Sequence, residues 1–270
     1  MYKMLVLDMD DTLLDDELHV SDENVQAILQ AKEMGVEIVF CSGRADKSMM
    51  NYIEALNIHD EHEFFVSYNG AKIDRLDGKV LFYKPLEGEL LRELVALGRE
   101  WGLDTQLYQE LMIAEGRTER IEEYERLSGV HARIVDSLDE IDSSIKVLYN
   151  SLDKPLLEKL QKEVLDRYGD RVNAFFSKPF YLEVLDKDAN KGKAVEFLAK
   201  KLGIRQEEII AMGDSYNDLF MISYAGLGVA VGNAHPEIKG QADYVTEATN
   251  NDSAVAEVVR KFLLPKKQSH

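Results

Sequence analysis

Short apolar runs that stop abruptly at small or acidic residues recur along this chain. Tyr2 to Met9 is nearly all apolar and then spills into Asp10, Asp11 and Thr12. A continuous apolar run of this length predicts a strand covered on both faces. Ser21 then caps a helix whose apolar positions Val25, Ile28 and Leu29 fall at helical spacing, and Gly35 ends it. A second strand follows at Val36 to Cys41, closed by Ser42-Gly43-Arg44, then a helix over 46–56 and a third strand from Phe64 to Ser67. This βαβαβ order implies parallel strands joined by right-handed crossovers. Asn69-Gly70 and Asp77-Gly78 predict turns of an antiparallel hairpin that extends the parallel pattern.

The last third resumes the alternation. A helix is predicted from Lys191 to Leu202, a strand from Glu208 to Met212, and a helix from about Asn217. The short strands Gly228 to Val231 and Tyr244-Val245 follow, then a closing helix from Ser253 to Phe262. Between them the pattern changes. Longer charged helices, Glu89 to Trp101 and Lys154 to Tyr168, accompany alternating or isolated strands such as Ile145 to Tyr149 and Tyr181 to Leu185. The expected architecture is α/β: a doubly wound, parallel, Rossmann-like sheet formed by residues 1–84 and 188–270. An α+β module, residues 85–187, is inserted between Lys84-Pro85 and the polar stretch from Asp186 to Asn190.

Composition narrows the class. The 270 residues include 45% apolar side chains, enough for a sizeable core. No apolar stretch approaches the roughly 20 residues that span a bilayer, and the first apolar run meets aspartates too early for a signal peptide. A single cysteine, Cys41, excludes an internal disulfide and favours a reducing, cytoplasmic setting. The net charge of −18 repels a nucleic-acid backbone but leaves room for a small anionic substrate beside a metal ion and a few basic groups.

Three strand ends carry chemistry. Asp8 and Asp10 stand on the first, Ser42 on the second, and Asp214, Asn217 and Asp218 on the strand from Glu208 to Met212. Lys191 opens the preceding helix. In open α/β sheets the carboxyl ends of the strands are where ligands bind. Taken singly, each group has an ordinary reading: an acidic loop, a turn serine, a helix cap, a surface lysine. Together they supply a carboxylate cluster for Mg²⁺, a hydroxyl donor and a cation, the set phosphoryl transfer requires. A thiol-phosphatase reading of Cys41 needs an arginine at position 47, which is Lys47. No histidine spacing suits a metal.

The segments Asp8-Met9-Asp10-Asp11-Thr12-Leu13-Leu14, Cys41-Ser42-Gly43-Arg44, Asn190-Lys191-Gly192 and Gly213-Asp214-Ser215-Tyr216-Asn217-Asp218 resemble the four ordered motifs of the haloacid dehalogenase superfamily. Tyr68-Asn69-Gly70-Ala71 and Val229-Ala230-Val231-Gly232-Asn233-Ala234 narrow the resemblance to Cof-type sugar-phosphate phosphatases with a class IIB cap. The resemblance covers essentially the whole chain.

It implies that Asp8 attacks phosphorus to form an aspartyl-phosphate, and that Asp10 protonates the leaving alcohol and then activates water. It also implies that Lys191 holds the nucleophile and the phosphoryl group. Ser42, with Gly43, Arg44, Asn69 and Asn217, would meet the phosphate or substrate. Mg²⁺ would sit among Asp8, the backbone carbonyl of Asp10, Asp214 and, nearby or through water, Asp218. The substrate would be a small phosphorylated metabolite, with the 85–187 module as a cap; Tyr149, Lys178 and Tyr181 are candidate contacts there. One position departs from the family pattern: Asp11 stands where a glycine is usual, adding charge and a less forgiving backbone. A phosphomannomutase-like phosphomutase, or a signalling module switched by a phosphorylated aspartate, would use many of the same groups. Asp10, an acid/base two residues from the nucleophile, favours hydrolysis over signalling.

Overall fold

The computed structural model describes residues 1–56, 63–128 and 131–264. The chain begins with β1 (Met4–Leu7), α1 (Asp22–Glu33), β2 (Glu37–Cys41), α2 (Asp46–Ala55), β3 (Phe64–Ser67), β4 (Lys72–Arg75) and β5 (Val80–Tyr83). The middle holds β6 (Leu86–Glu87), α3 (Gly88–Glu100), β7 (Asp104–Tyr108), β8 (Met112–Ala114), α4 (Glu119–Ser128), β9 (Ala132–Ile134), β10 (Ser143–Ser144), β11 (Val147–Asn150), α5 (Lys154–Tyr168), β12 (Val172–Lys178) and β13 (Tyr181–Asp186). The end holds α6 (Lys191–Leu202), β14 (Ile209–Gly213), α7 (Leu219–Tyr224), β15 (Leu227–Ala230), α8 (Pro236–Lys239), β16 (Tyr244–Val245) and α9 (Ala254–Val258).

Two compact units result: Met1–Arg44 with Met49–Leu81 and Asn190–His270, and Ala45–Ser48 with Phe82–Ala189. The first unit is built on an eight-stranded sheet in the order β16-β15-β14-β1-β2-β3-β4-β5. Pairing is parallel from β16 to β3 and antiparallel at β3–β4. The α/β expectation therefore holds. From β1 the chain winds outward one way through β2 and β3, and later the other way from β14 through β15 and β16. The reversal lies between β1 and β14, and in open α/β sheets ligands bind outside the carboxyl ends of the strands at such a point. Leu5, Leu7, Ile38, Phe40, Ile210 and Met212 pack into one apolar core with residues of α1 and α9.

The second unit carries its own core, formed by Leu94, Leu107, Val147, Tyr149, Leu160 and Val184 among others. Its six-stranded sheet runs β12-β13-β11-β7-β8-β9, antiparallel except at β8–β9, beside a two-stranded β6–β10 pair.

Three sequence expectations need correction. β1 is shorter than Tyr2 to Met9, because the backbone leaves the ladder after Leu7 and Met9–Leu13 closes as a wide turn, Leu14 N–H donating to the Met9 carbonyl (2.8 Å). The strand expected at Ile145 to Tyr149 lies at Val147–Asn150, since Ile145 N–H is taken by the Tyr108 carbonyl (2.7 Å) outside the ladder. The closing helix starts one residue late, at Ala254, because Ser253 is left-handed (φ 66°), and its last turn over Val259–Leu263 is widened.

Candidate active site

The parallel strands all end at one edge of the first sheet, and the sequence-predicted groups of this unit lie on those ends. β1 delivers Asp8, whose N–H donates to Met212 of β14 (3.0 Å) and so anchors the residue at the switch point. α6 delivers Lys191. Its cap, Asn190, accepts from Lys193 N–H (2.8 Å), which fixes where the helix starts and turns its first side chain inward. Lys191 is wholly buried, with Nζ 2.6 Å from Asp8 Oδ1 and 2.5 Å from Asp218 Oδ1. Burial works to lower its pKa, but the Asp218 and Asp8 carboxylates outweigh that and hold it above the ordinary lysine range.

β14 delivers the remaining acids. Asp218 Oδ2 accepts from the N–H groups of Asp214 (3.0 Å) and Ser215 (3.1 Å), so both of its oxygens are engaged. It therefore organises the loop and also faces Lys191, and its side chain does not cap the helix that follows, though its sequence position suggests it could. Gly213 makes this possible: a Cβ there would overlap the Asp218 side chain. Gly213→Ala is expected to destabilise the protein by about 2 kcal/mol, as overpacking does, and a urea titration against wild type checks it.

Carboxylate oxygens of Asp8, Asp214 and Asp218 lie within 4.8 Å of one another. Burial, then the neighbouring carboxylates, push Asp8 up to about 7 and Asp214 up to about 9. A single lysine does not balance three crowded carboxylates, two of them buried. Among the described residues the second oxygen of Asp8 has no hydrogen-bond partner, and Asp214 Oδ1 receives only a long bond from the Thr12 hydroxyl (3.3 Å). Unneutralised hard oxygen donors of this kind fit a divalent cation such as Mg²⁺.

Asp10 lies apart from that cluster. The Arg44 guanidinium clasps its carboxylate from Nε (2.9 Å) and Nη2 (2.6 Å), and Arg44 itself rests over the Tyr52 ring, 5.0 Å from its centroid. Ser42 is buried, its hydroxyl accepting from Arg44 N–H (3.1 Å). Asn69, also buried, accepts from Asn217 Nδ2 (2.9 Å), and its own N–H donates to the Ser42 carbonyl (2.9 Å). Gly43 runs so close to the Asn69 amide that a Cβ would meet it at 3.0 Å. Asp11 adopts a left-handed conformation (φ 56°, ψ 11°), the region a glycine enters without penalty. Cys41 is buried in β2, where burial pushes its thiol well above the ordinary range, so it is inert. In the second unit Tyr149 is a core residue, its hydroxyl donating to the Leu94 carbonyl (2.7 Å).

Sequence reasoning assigned no role to Thr12, Tyr52 or Asn233. Thr12 and Asn233 meet partners remote in sequence, Tyr52 meets the nearby Arg44, and only the opening motif hints at Thr12.

A doubly wound sheet with clustered carboxylates and a buried lysine at its switch point defines an α/β enzyme built for phosphoryl chemistry. The chain belongs to the haloacid dehalogenase-like hydrolases, whose family profile matches residues 5–259. It is 32% identical to YxeH of Bacillus subtilis (strain 168), across 98% of this chain and 100% of that one. It is 31% identical to the 5-amino-6-(5-phospho-D-ribitylamino)uracil phosphatase YcsE of the same organism, across 97% and 96%. Among solved structures, a haloacid dehalogenase-like hydrolase from Bacteroides thetaiotaomicron superposes with a TM-score of 0.86 at 29% identity, covering 96% of this chain and 99% of that one. The family resemblance carried by the motifs is thereby established. Among the described residues no helix is long and apolar enough to cross a membrane.

Proposed function

We propose that this protein is a Mg²⁺-dependent phosphatase of small phosphorylated metabolites, sugar phosphates foremost, acting through an aspartyl-phosphate on Asp8. The observation that carries this reading is Lys191, buried between Asp8 and Asp218 beside Asp214. A charge placed that deep serves an anionic reaction centre better than it serves stability. The similarity to YcsE, a phosphatase of a phosphorylated metabolite, supports the substrate class.

In this mechanism the unbonded oxygen of Asp8 attacks phosphorus while the bond to the leaving oxygen breaks. Asp10, protonated and out of its ion pair with Arg44, gives its proton to that oxygen. Asp10 then takes a proton from water, which attacks the same phosphorus and releases phosphate and Asp8. Lys191 holds Asp8 in register and neutralises the phosphoryl group, and Ser42, with Gly43, Asn69 and Asn217, donates to its oxygens. Asp8, the Asp10 carbonyl and Asp214 would hold the metal, with Asp218 beside it; when bound, Mg²⁺ supplies positive charge against the phosphoryl oxygens. Residues 1–84 and 188–270 form the catalytic core in this reading. Residues 85–187 form a cap that excludes water and reads the leaving group, with Lys178 and Tyr181 as candidate contacts. The single cysteine suits a cytoplasmic setting.

Phosphate release from a panel of sugar phosphates and p-nitrophenyl phosphate, with and without Mg²⁺, tests the reading. Metal-dependent release is expected; none from folded protein with any substrate would overturn it.

The raised carboxyls give a second test. An acid whose folded pKa exceeds its unfolded value holds its proton longer in the folded state, so stability falls as pH rises between the two. The window runs from the usual carboxylate range up to about 7 for Asp8 and about 9 for Asp214. Chelator-treated protein is expected to melt at progressively lower temperature across that window, and Mg²⁺ to restore the loss most at the alkaline end. A melting temperature indifferent to Mg²⁺ at every pH would count against the metal site.

A further inference from the structure

Asp11 holds its left-handed conformation in the loop that also carries Asp10, and the contacts around it form a clamp. Asn233 Nδ2 donates to the Asp11 carbonyl (2.7 Å), and the Asn250 N–H donates to Asn233 Oδ1 (2.9 Å). Asn250, itself buried, donates from its side chain to the Leu14 carbonyl and to Asp16 Oδ1, both at 3.1 Å. Asp16 N–H in turn donates to Asn251 Oδ1 (3.1 Å). The turn bearing Asn233 is fixed at its ends: Gly232 N–H reaches the Ala248 carbonyl (3.0 Å) and Thr246 Oγ1 (2.9 Å), while His235 N–H reaches the Asp214 carbonyl (3.0 Å). One short turn thus ties the peptide after Asp11 to the backbone of Asp214.

We infer that Asn233 is a positioning residue that pins the Asp11 peptide, compensating for an aspartate where the backbone favours glycine. The pinned peptide links the nucleophile-bearing end of β1 to Thr12, whose hydroxyl faces Asp214. An aspartate released from the clamp relaxes toward ordinary backbone angles and carries Asp10 and Thr12 with it, whereas a glycine keeps the turn unaided. The dependence on Asn233 is therefore specific to the residue at position 11.

A double-mutant cycle tests this, using Asn233→Ala, Asp11→Gly and the pair. The kinetic arm rests on the phosphatase reading; the unfolding arm, urea titration of chelator-treated protein, does not. Asn233→Ala is expected to lower kcat about tenfold with KM changed less than about twofold, because small misplacements of reacting groups act on turnover. In the Asp11→Gly background the same substitution is expected to cost less than about threefold, and the unfolding midpoint to shift less than in wild type. Asn233→Asp keeps the acceptor for Asn250 N–H but loses the donor to Asp11, and is expected to behave like the alanine variant. Equal losses in both backgrounds, or a rise in KM with kcat intact, would overturn the clamp. Were wild type to release no phosphate, the functional reading would fall and the unfolding cycle would still decide the clamp.

Discussion

Asp8→Asn is expected to abolish turnover, by about 10⁴-fold or more, as loss of an attacking group does. The substitution keeps the shape of the side chain and leaves Asp218 to hold Lys191. It also removes one of three carboxylates crowded within 4.8 Å. The metal-free variant is therefore expected to melt no lower than wild type, which separates lost chemistry from lost folding. Stopped assays of phosphate release, with a circular-dichroism melt of the same sample, give both readings. Activity within tenfold of wild type would remove Asp8 from the nucleophile's role.

Lys191→Ala is expected to harm both stability and turnover. Lys191 Nζ is the only cation within bonding distance of Asp8 and Asp218 among the described residues, and it is fully buried. Removing it strands two carboxylates in a site that already pushes Asp8 up to about 7. Breaking a buried pair in this way costs about 3–5 kcal/mol, because the remaining charge is neither solvated nor paired. The loss should shrink at lower pH, as protonation relieves the stranded acids. Lys191→Ala combined with Asp218→Asn should recover part of the stability without recovering turnover. Urea titrations of the two variants and wild type at pH 5 and pH 8 check this; a single variant as stable as wild type at both would contradict it.

The first unit was legible because its signals are local. An apolar run ending in acids marks a strand end, and Asn190 before Lys191 marks a helix start; the helix is found at Lys191–Leu202 as expected. The same locality explains Asp214, which follows β14 directly. What sequence could not supply were partners set by tertiary packing. Arg44 reads from sequence as a substrate contact, and in the structure it clasps Asp10, 34 positions away. Asp218 reads from sequence as a metal neighbour or a cap of the following helix, and its oxygens bond Lys191 and the N–H groups of Asp214 and Ser215. Asn233 stood in a recognised segment without a role, because its partners Asp11 and Asn250 lie on different loops. Helix ends also shifted where a single residue took a left-handed turn, as at Ser253.

Phosphate is expected to pass through Asp8 on its way to water. The most direct measurement is acid quenching of wild-type protein during its first turnover of a radiolabelled phosphomonoester, followed by peptide mapping. Label is expected on the peptide containing Asp8, released by hydroxylamine as an acyl phosphate is, and absent from Asp8→Asn. Phosphate appearing in solution without any label having passed through the protein would contradict the claim.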